Sequence, residues 1–508
     1  MTTDTVTGRE TQAGFRSRGD ALSVVLLLVV GALIVRLPYL GDANADVDEQ
    51  LYSLIGNGIL HGQLPFVDLW DRKPVGLFLL YALAHAIGGP SPLAYQLFAA
   101  AFAVLGALLT RAFALVFFDR AVAMGAGVLY LILMALYGPH SGQTEIFHVP
   151  AMLAMALLVR DPDHPQAIRR ALAAMLIGGL ALQIKYTVVP QCAFFGLWAL
   201  WGQYRRTRSP GQILRLGSLF ELLGLLPTVL VGLFYLAIGE WHAFWFANFV
   251  SFFDRLPSPS GRLVADHLLF VLPLIGLAAA GSYAALRLRM VNDRRSYVFV
   301  ALWLLASLAT VFLPSTVYAY YFAALVPAVI LLGLPFLDRH GPLGLLPMLG
   351  VIALYFSLLY YGTRVEKSRE SRAGMEQLVA TITPLVDDET RCLWVFDGPT
   401  ALYQQTGSCL PTRFIYPDHL NNALERDALG VPQIDEVRRI LAQQPPAIVT
   451  ADIPFTPQNE TVKALVMDTV RRDYRLELQT RLTPRTLSVW VRRPEPVPVA
   501  DSPSQSQE

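Results

Sequence analysis

One stretch of the chain, DANADVDEQLYSLIGNGILHGQLPFVDLWDRKPVG, gathers Asp46, Asp48, Glu49, Asp68, Asp71, Arg72 and Lys73. A carboxylate in such company can take a proton from an acceptor hydroxyl, and a neighbouring Lys or Arg can hold a phosphate. Asp48-Glu49 opens the amphipathic run LYSLIGNGIL, which the pattern lays on a membrane with its acids toward the headgroups. Arg72-Lys73 stand immediately before Pro74 and an apolar run, so the cations are expected at the same depth. Charged loops are often only solvated connections. Acids and cations at two element starts, both at headgroup level, point instead to a site.

Other residues repeat the theme. Glu145, in GPHSGQTEIFHVP, opens a further apolar run between His140 and His148, and Lys185, in QIKYTVVP, closes another. An ionisable group at the end of a membrane segment is either a snorkelling anchor or a ligand contact, and buried cases favour the ligand. Tyr320-Tyr321 begin the apolar run at 318–336. The loop GEWHAFWFANFVSFFDRLPSPSGR is dense in Trp and Phe, either an interfacial aromatic belt or a wall for a prenyl chain. His140, His148 and His242 lack metal-ligand spacing and read as ordinary polar residues. Three cysteines, Cys192, Cys392 and Cys409, are too few for a Cys-based zinc site or a disulfide scaffold.

The elements that must position these groups follow from composition. Of 508 residues, 54% are hydrophobic and 16% charged, against roughly 25% charged in an average soluble protein; most of the chain must be solvated by lipid. A net charge of +1 supplies no basic field for nucleic acid. Each crossing needs about 20 mainly apolar residues. Candidates lie at 21–40, 92–117, 121–138, 144–159, 170–187, 189–203, 215–237, 264–286, 296–314, 318–336 and 343–361. The segment 74–88 is apolar but short, and whether it crosses fixes the side of everything after it. If it does not cross, the arginine-rich loops (Arg120, Arg160, Arg169, Arg170, Arg205, Arg206, Arg208, Arg215, Arg287, Arg289, Arg294, Arg295, Arg339) fall inside with Arg9, Arg16 and Arg18; Arg72, Lys73, Arg255 and Arg262 fall outside. The positive-inside rule selects that arrangement. It makes 74–88 a juxtamembrane or re-entrant helix, with eleven spans, the N-terminus cytoplasmic and the C-terminus outside. Ala43-Asn44-Ala45 imitates a signal cleavage site, but the first span is long enough to stay as an anchor.

The expected layout is a cytoplasmic tail over 1–20, a membrane domain over 21–362 with its first outer loop at 41–73, a soluble domain over 363–493 and a disordered tail over 494–508. Strand-like runs at 391–396, 412–416, 447–451, 474–480 and 486–492 alternate with helical patterns at 418–427, 432–443 and 459–471, which predicts a small α/β domain. On the outer side Cys392 and Cys409 can pair by a disulfide.

The first loop resembles that of the glycosyltransferase family 39 group, bacterial relatives of protein O-mannosyltransferases and of the lipid A aminoarabinose transferase. The matching positions are Asp48-Glu49, Tyr52, the stretch Gly62-Gln63-Leu64-Pro65-Phe66-Val67-Asp68, and Lys73-Pro74, with Val75 where the family has a second Pro. Gln143-Thr144-Glu145 looks like the family's Asn-x-Glu, and Lys185-Tyr186-Thr187 like its Lys-Gln-Thr. Tyr320-Tyr321 ahead of Pro327 look like its His-Tyr, without the His. The resemblance covers roughly residues 20–362, and the α/β tail is similar to one that many members carry.

It implies a mainly α, polytopic GT-C membrane fold with about eleven transmembrane helices and a small periplasmic α/β domain. It also implies transfer of a monosaccharide from a polyprenyl-phosphate donor, with inversion, to a glycan, lipid or protein acceptor at the periplasmic face of the inner membrane. Asp48 and Glu49 would be the catalytic acids, with Asp48 the base. Arg72, Lys73 and Lys185 would hold the donor phosphate, and Tyr52, Asp68, Glu145, Tyr320 and Tyr321 would contact substrate. The leaving group is already a phosphate ester, so no cofactor is required and a divalent metal is optional. The absence of a Gly-rich phosphate loop fits a lipid-linked donor better than a nucleotide sugar. A transporter or flippase should carry charge near the midplane; here Glu221 and Arg111 lie within spans, toward the cytoplasmic side. A lipid-linked glycan ligase shares the outer-face chemistry and stands as the other alternative.

Overall fold

The structure, a computed structural model, describes residues 4–257, 260–288, 293–314, 316–360 and 364–494. It divides into two units, Met1–Arg372 and Ala373–Glu508. The expected disordered tail, apart from Pro494, lies outside the described residues.

The first unit is helical. Its helices are α1 (Asp4–Arg36), α2 (Val47–Leu60), α3 (Val75–Gly88), α4 (Pro92–Ala114), α5 (Arg120–Leu136), α6 (Thr144–Val159), α7 (Ala167–Leu182), α8 (Val189–Thr207) and α9 (Pro210–Ala237). After the short turns α10 (Trp241–Trp245), a π turn (Phe246–Val250) and α11 (Ser251–Asp254) come α12 (Ser260–Leu288), α13 (Arg294–Phe312), a 3-10 turn (Ala319–Leu325), α14 (Val326–Leu337) and α15 (Leu346–Tyr360). The helix α16 (Arg364–Ile382) runs into the second unit.

The segments expected to span lie largely on helices, although 21–40 and 170–187 run past the ends of α1 and α7 and 318–336 opens with the 3-10 turn. Among the described residues six helical stretches are at least 18 residues long and apolar enough to cross a membrane, while α3, α5 and α6 are shorter apolar helices. On α9, Leu222, Val229, Leu230 and Leu233 are each more than half exposed; such a leucine face is stable only against lipid. At the other extreme α14 is buried along nearly its whole length. The chain is a multi-pass membrane protein. One difference lies at the start: α1 begins at Asp4, so the expected tail continues the first span as a helix. No proline interrupts residues 4–36, and Pro38 lies just beyond the helix end.

The strongest departure concerns α2. The amphipathic pattern lays it on the membrane with its acids outward; instead nine of its residues, Glu49 among them, are buried. The reason is Gly56: a Cβ there would lie 2.6 Å from Tyr81 Cβ and 2.8 Å from Ala82 N, so α2 lies directly on α3. Asp46 caps α2 by accepting the Asp48 N–H at 3.0 Å.

In the second unit a four-stranded sheet has the order β1 (Trp394–Val395), β2 (Ala447–Ala451), β4 (Arg485–Arg492), β3 (Tyr474–Leu482), with β1 and β2 parallel and the other pairs antiparallel. Helices α17 (Ala401–Thr406), α18 (Pro417–Asn421), α19 (Gln433–Ala442) and α20 (Glu460–Asp473) complete it. This is the expected α/β layering. The run 412–416 is not a strand: Pro411 and Pro417 bracket it, and the Thr412 hydroxyl accepts the Phe414 N–H at 3.1 Å and donates to Glu436. Cys392 and Cys409 form a disulfide.

Candidate active site

Several separated pieces of the first unit meet around the start of α2. The turn between α5 and α6 is the template for both acids. Gln143 donates from its side-chain amide to Asp48 Oδ2 at 3.1 Å and to Asp46 Oδ1 at 3.4 Å. In the same turn Ser141 Oγ donates to Glu49 Oε1 at 2.8 Å, and the Gly142 N–H donates to Glu49 Oε2. Tyr95 OH, from α4, donates to Glu49 Oε1 at 3.3 Å, and Tyr81 OH, from α3, ties down the turn at Gly142 O over 2.6 Å. Behind the turn, Arg36 Nη2 donates to Pro139 O at 2.8 Å. The turn is therefore clamped on both faces, with little freedom left to the carboxylates it holds.

The two acids are not equivalent. Glu49 is fully buried, and burial pushes its carboxyl up to about 7 despite the four side-chain and backbone donors around it. Asp46, partly accessible, is held well above the usual carboxylate range by burial and by the nearby charges of Asp48 and Glu49. Asp71 is raised by burial against the downward pull of Lys73 and Arg72. Asp48 is half-buried, and the Gln143 amide and the Tyr320 hydroxyl both donate to its Oδ2.

The cations approach from the other side. Lys185 follows α7, and its Nζ forms a buried ion pair with Glu145, the second residue of α6. Thr144 Oγ1 donates to the other Glu145 oxygen at 2.9 Å, and His148 Nε2 stands 3.9 Å from the paired one. Lys185 Nζ also lies 3.7 Å from the centre of the Tyr321 ring and 5.6 Å from that of Tyr320. Tyr320 OH donates to Asp48 Oδ2 at 3.0 Å. One residue thus touches both the acid and the cation. Lys73 Nζ is 5.9 Å from the centre of the buried Tyr52 ring, within electrostatic reach of Lys185, and Arg72 lies beside Asp71 over the Trp70 ring. The link between these cation-bearing segments is backbone: Leu77 N–H donates to Gln183 O at 2.9 Å. A Cβ on Gly76 would lie 2.6 Å from Gln183 Cβ.

Of the residues singled out in the sequence, the structure gathers Asp48, Glu49, Tyr52, Arg72, Lys73, Glu145, Lys185, Tyr320 and Tyr321. Asp68 stays apart: it is exposed and closes its own turn by accepting the Leu64 N–H at 2.7 Å. His148, read as an ordinary polar residue, sits against Glu145 instead. Ser141, Gly142 and Tyr95 were not legible as site residues; the only hint was a polar GPHSGQ string between two apolar runs. Among the described residues no group of three or more His, Cys, Asp or Glu is placed to hold a metal ion.

No family model and no curated protein matches the sequence. Among solved structures the chain is similar to ArnT from Cupriavidus metallidurans in the apo state, with a TM-score of 0.62 and 17% identity over 92% of this chain and 98% of that one. It is likewise similar to ArnT from the same organism bound to undecaprenyl phosphate, with a TM-score of 0.62 and 16% identity over 93% and 98%. At such identities the likeness speaks for architecture alone, and the architecture is an ArnT-like membrane fold with a small sheet near the C-terminus.

Proposed function

We propose that this protein is a membrane glycosyltransferase that moves a monosaccharide from a polyprenyl-phosphate donor to a hydroxyl of an envelope glycan, lipid or protein, with inversion, at the outer face of the bacterial inner membrane. The observation that carries the reading is Tyr320, which joins the half-buried Asp48 carboxylate to the Lys185 cation in one cluster. Base and phosphate-binding cations side by side are what a single displacement at a lipid-linked sugar needs. The likeness to a structure described as bound to undecaprenyl phosphate supports the donor class.

In the reaction, Asp48 takes the proton of the acceptor hydroxyl as its oxygen attacks the sugar's anomeric carbon. The bond from that carbon to the phosphate oxygen breaks, and the electron pair leaves on the phosphate. Lys73, Arg72 and Lys185 stabilise that developing charge, the largest help a preorganised site gives such a departure. Tyr320 and Gln143 hold Asp48 in line. Glu145 positions Lys185 and yields it to the phosphate.

The test uses full-length chain in nanodiscs with a radiolabelled polyprenyl-phosphate sugar and an envelope extract as acceptor. Asp48→Asn keeps the shape and removes the base, so turnover should fall by about two to four orders of magnitude with donor binding retained. Undiminished turnover in this variant would remove Asp48 from the chemistry. Mass spectrometry of envelope glycans from a deletion strain identifies the sugar and the acceptor.

A further inference from the structure

A second feature lies at the far ends of α8 and α13, away from Lys185. The two helices run antiparallel: Gln191, early in α8, bonds to Trp303, Ser307 and Thr310 in the later part of α13. Roughly 10 Å further along α8, Trp198 packs against Phe299 with ring centres 5.1 Å apart. There a cavity of about 660 Å³ is lined by Leu197, Trp198 and Trp201 from α8 and by Arg294, Arg295 and Val298 from α13. Its apolar wall is open: Leu197 is 66% exposed, Val298 52% and Trp201 44%. Trp198, by contrast, is buried, and its indole N–H has no hydrogen-bond partner among the described residues.

The charge at the mouth is cationic. Asp163 is shared between Arg205 and Arg295, and the Arg205 guanidinium also lies over the Trp201 ring at 4.4 Å. Asp293 is engaged by Ser296, from both its N–H and its hydroxyl. Arg294 has no ion pair among the described residues. The groove therefore has an apolar floor running along two membrane helices and an arginine head with positive charge left over. We propose that it is a binding site for an anionic phospholipid, distinct from the site at the other end of α8. The acyl chains lie on Leu197, Trp201 and Val298, and the phosphate sits between Arg294 and Arg295. A zwitterionic lipid brings its own ammonium to that head and loses the match. The arginine-rich loops belong, on the proposed sidedness, to the cytoplasmic leaflet, where anionic lipids supply such a ligand.

The groove tryptophans provide the readout. Full-length protein in nanodiscs is titrated with phosphatidylglycerol or phosphatidylcholine brominated on the acyl chains, and tryptophan quenching is followed. The extra quenching by phosphatidylglycerol should disappear in Trp198→Phe/Trp201→Phe, which assigns it to the groove. Phosphatidylglycerol should quench at about tenfold lower mole fraction than phosphatidylcholine. Arg294→Gln, which leaves the Asp163 pairs intact, should remove most of that preference, whereas Arg206→Gln on the neighbouring surface should not. Equal quenching by the two lipids overturns the proposal, as does an anionic preference that survives Arg294→Gln/Arg295→Gln in a protein of unchanged thermal midpoint.

Discussion

Glu49 and Lys185 are buried groups whose neighbours set what each can do. The Glu49 carboxyl, raised from 4.5 to about 7, keeps its proton in the folded protein over a range where the unfolded chain has released it. Its contribution to stability is therefore fully present below about 4.5 and is lost as pH climbs through 7. Glu49→Gln should remove a pH dependence of order 3 kcal/mol, seen as a thermal midpoint that declines less between pH 5 and 8 than in wild type. An identical decline in both would show that Glu49 is not the group responsible. Lys73→Met and Lys185→Met keep the apolar stem and delete the cation. Each should weaken binding of the polyprenyl-phosphate donor by about 2–5 kcal/mol. Lys185→Met also strands the buried Glu145 without its partner, so Lys185→Met/Glu145→Gln is the fairer comparison. Donor binding like wild type in that double variant would reduce Lys185 to an anchor.

The close contacts of α2 and α3 decide whether these side chains meet. Gly76 lies against Gln183, and the neighbouring Leu77 N–H is bonded to the Gln183 carbonyl. Lys73 and Lys185 flank that contact from the two segments it joins. Gly76→Val should push α3 off the end of α7 and cut donor binding at least about tenfold, on the ground that misplacement by an ångström is costly in a preorganised site. Binding at the wild-type level in a folded variant would show that the contact does not set the cation geometry. These elements also mark how far the sequence could be read. Hydropathy places the helices, because lipid demands long apolar runs, and the family-like strings place Asp48, Lys73, Glu145 and Lys185. The burial of α2 was not legible: its amphipathic face suits a membrane surface as well as a packed one, and only the missing side chain at Gly56, read together with Tyr81, distinguishes the two. Nor was the Ser141–Gln143 turn, since its role depends on contacts about 95 residues away in sequence.

Across the whole molecule the arginine distribution predicts that α3 does not cross and that the soluble unit lies outside. Reporter fusions after Gly142 and after Arg493 should both report the outer side; a cytoplasmic signal after Gly142 would make α3 a true span. The disulfide Cys392–Cys409 belongs with that assignment. The hydrogen bond from Tyr320 to Asp48 joins residues 272 positions apart, and this separation also has a meaning in time. A ribosome adding roughly 5–20 residues per second needs about 15–55 s to travel from one to the other. For that interval the nascent chain already displays its cluster of carboxylates while the tyrosine that completes it has not yet been made. The growing polypeptide then carries an open cluster, and the cluster closes only when translation is well past its midpoint.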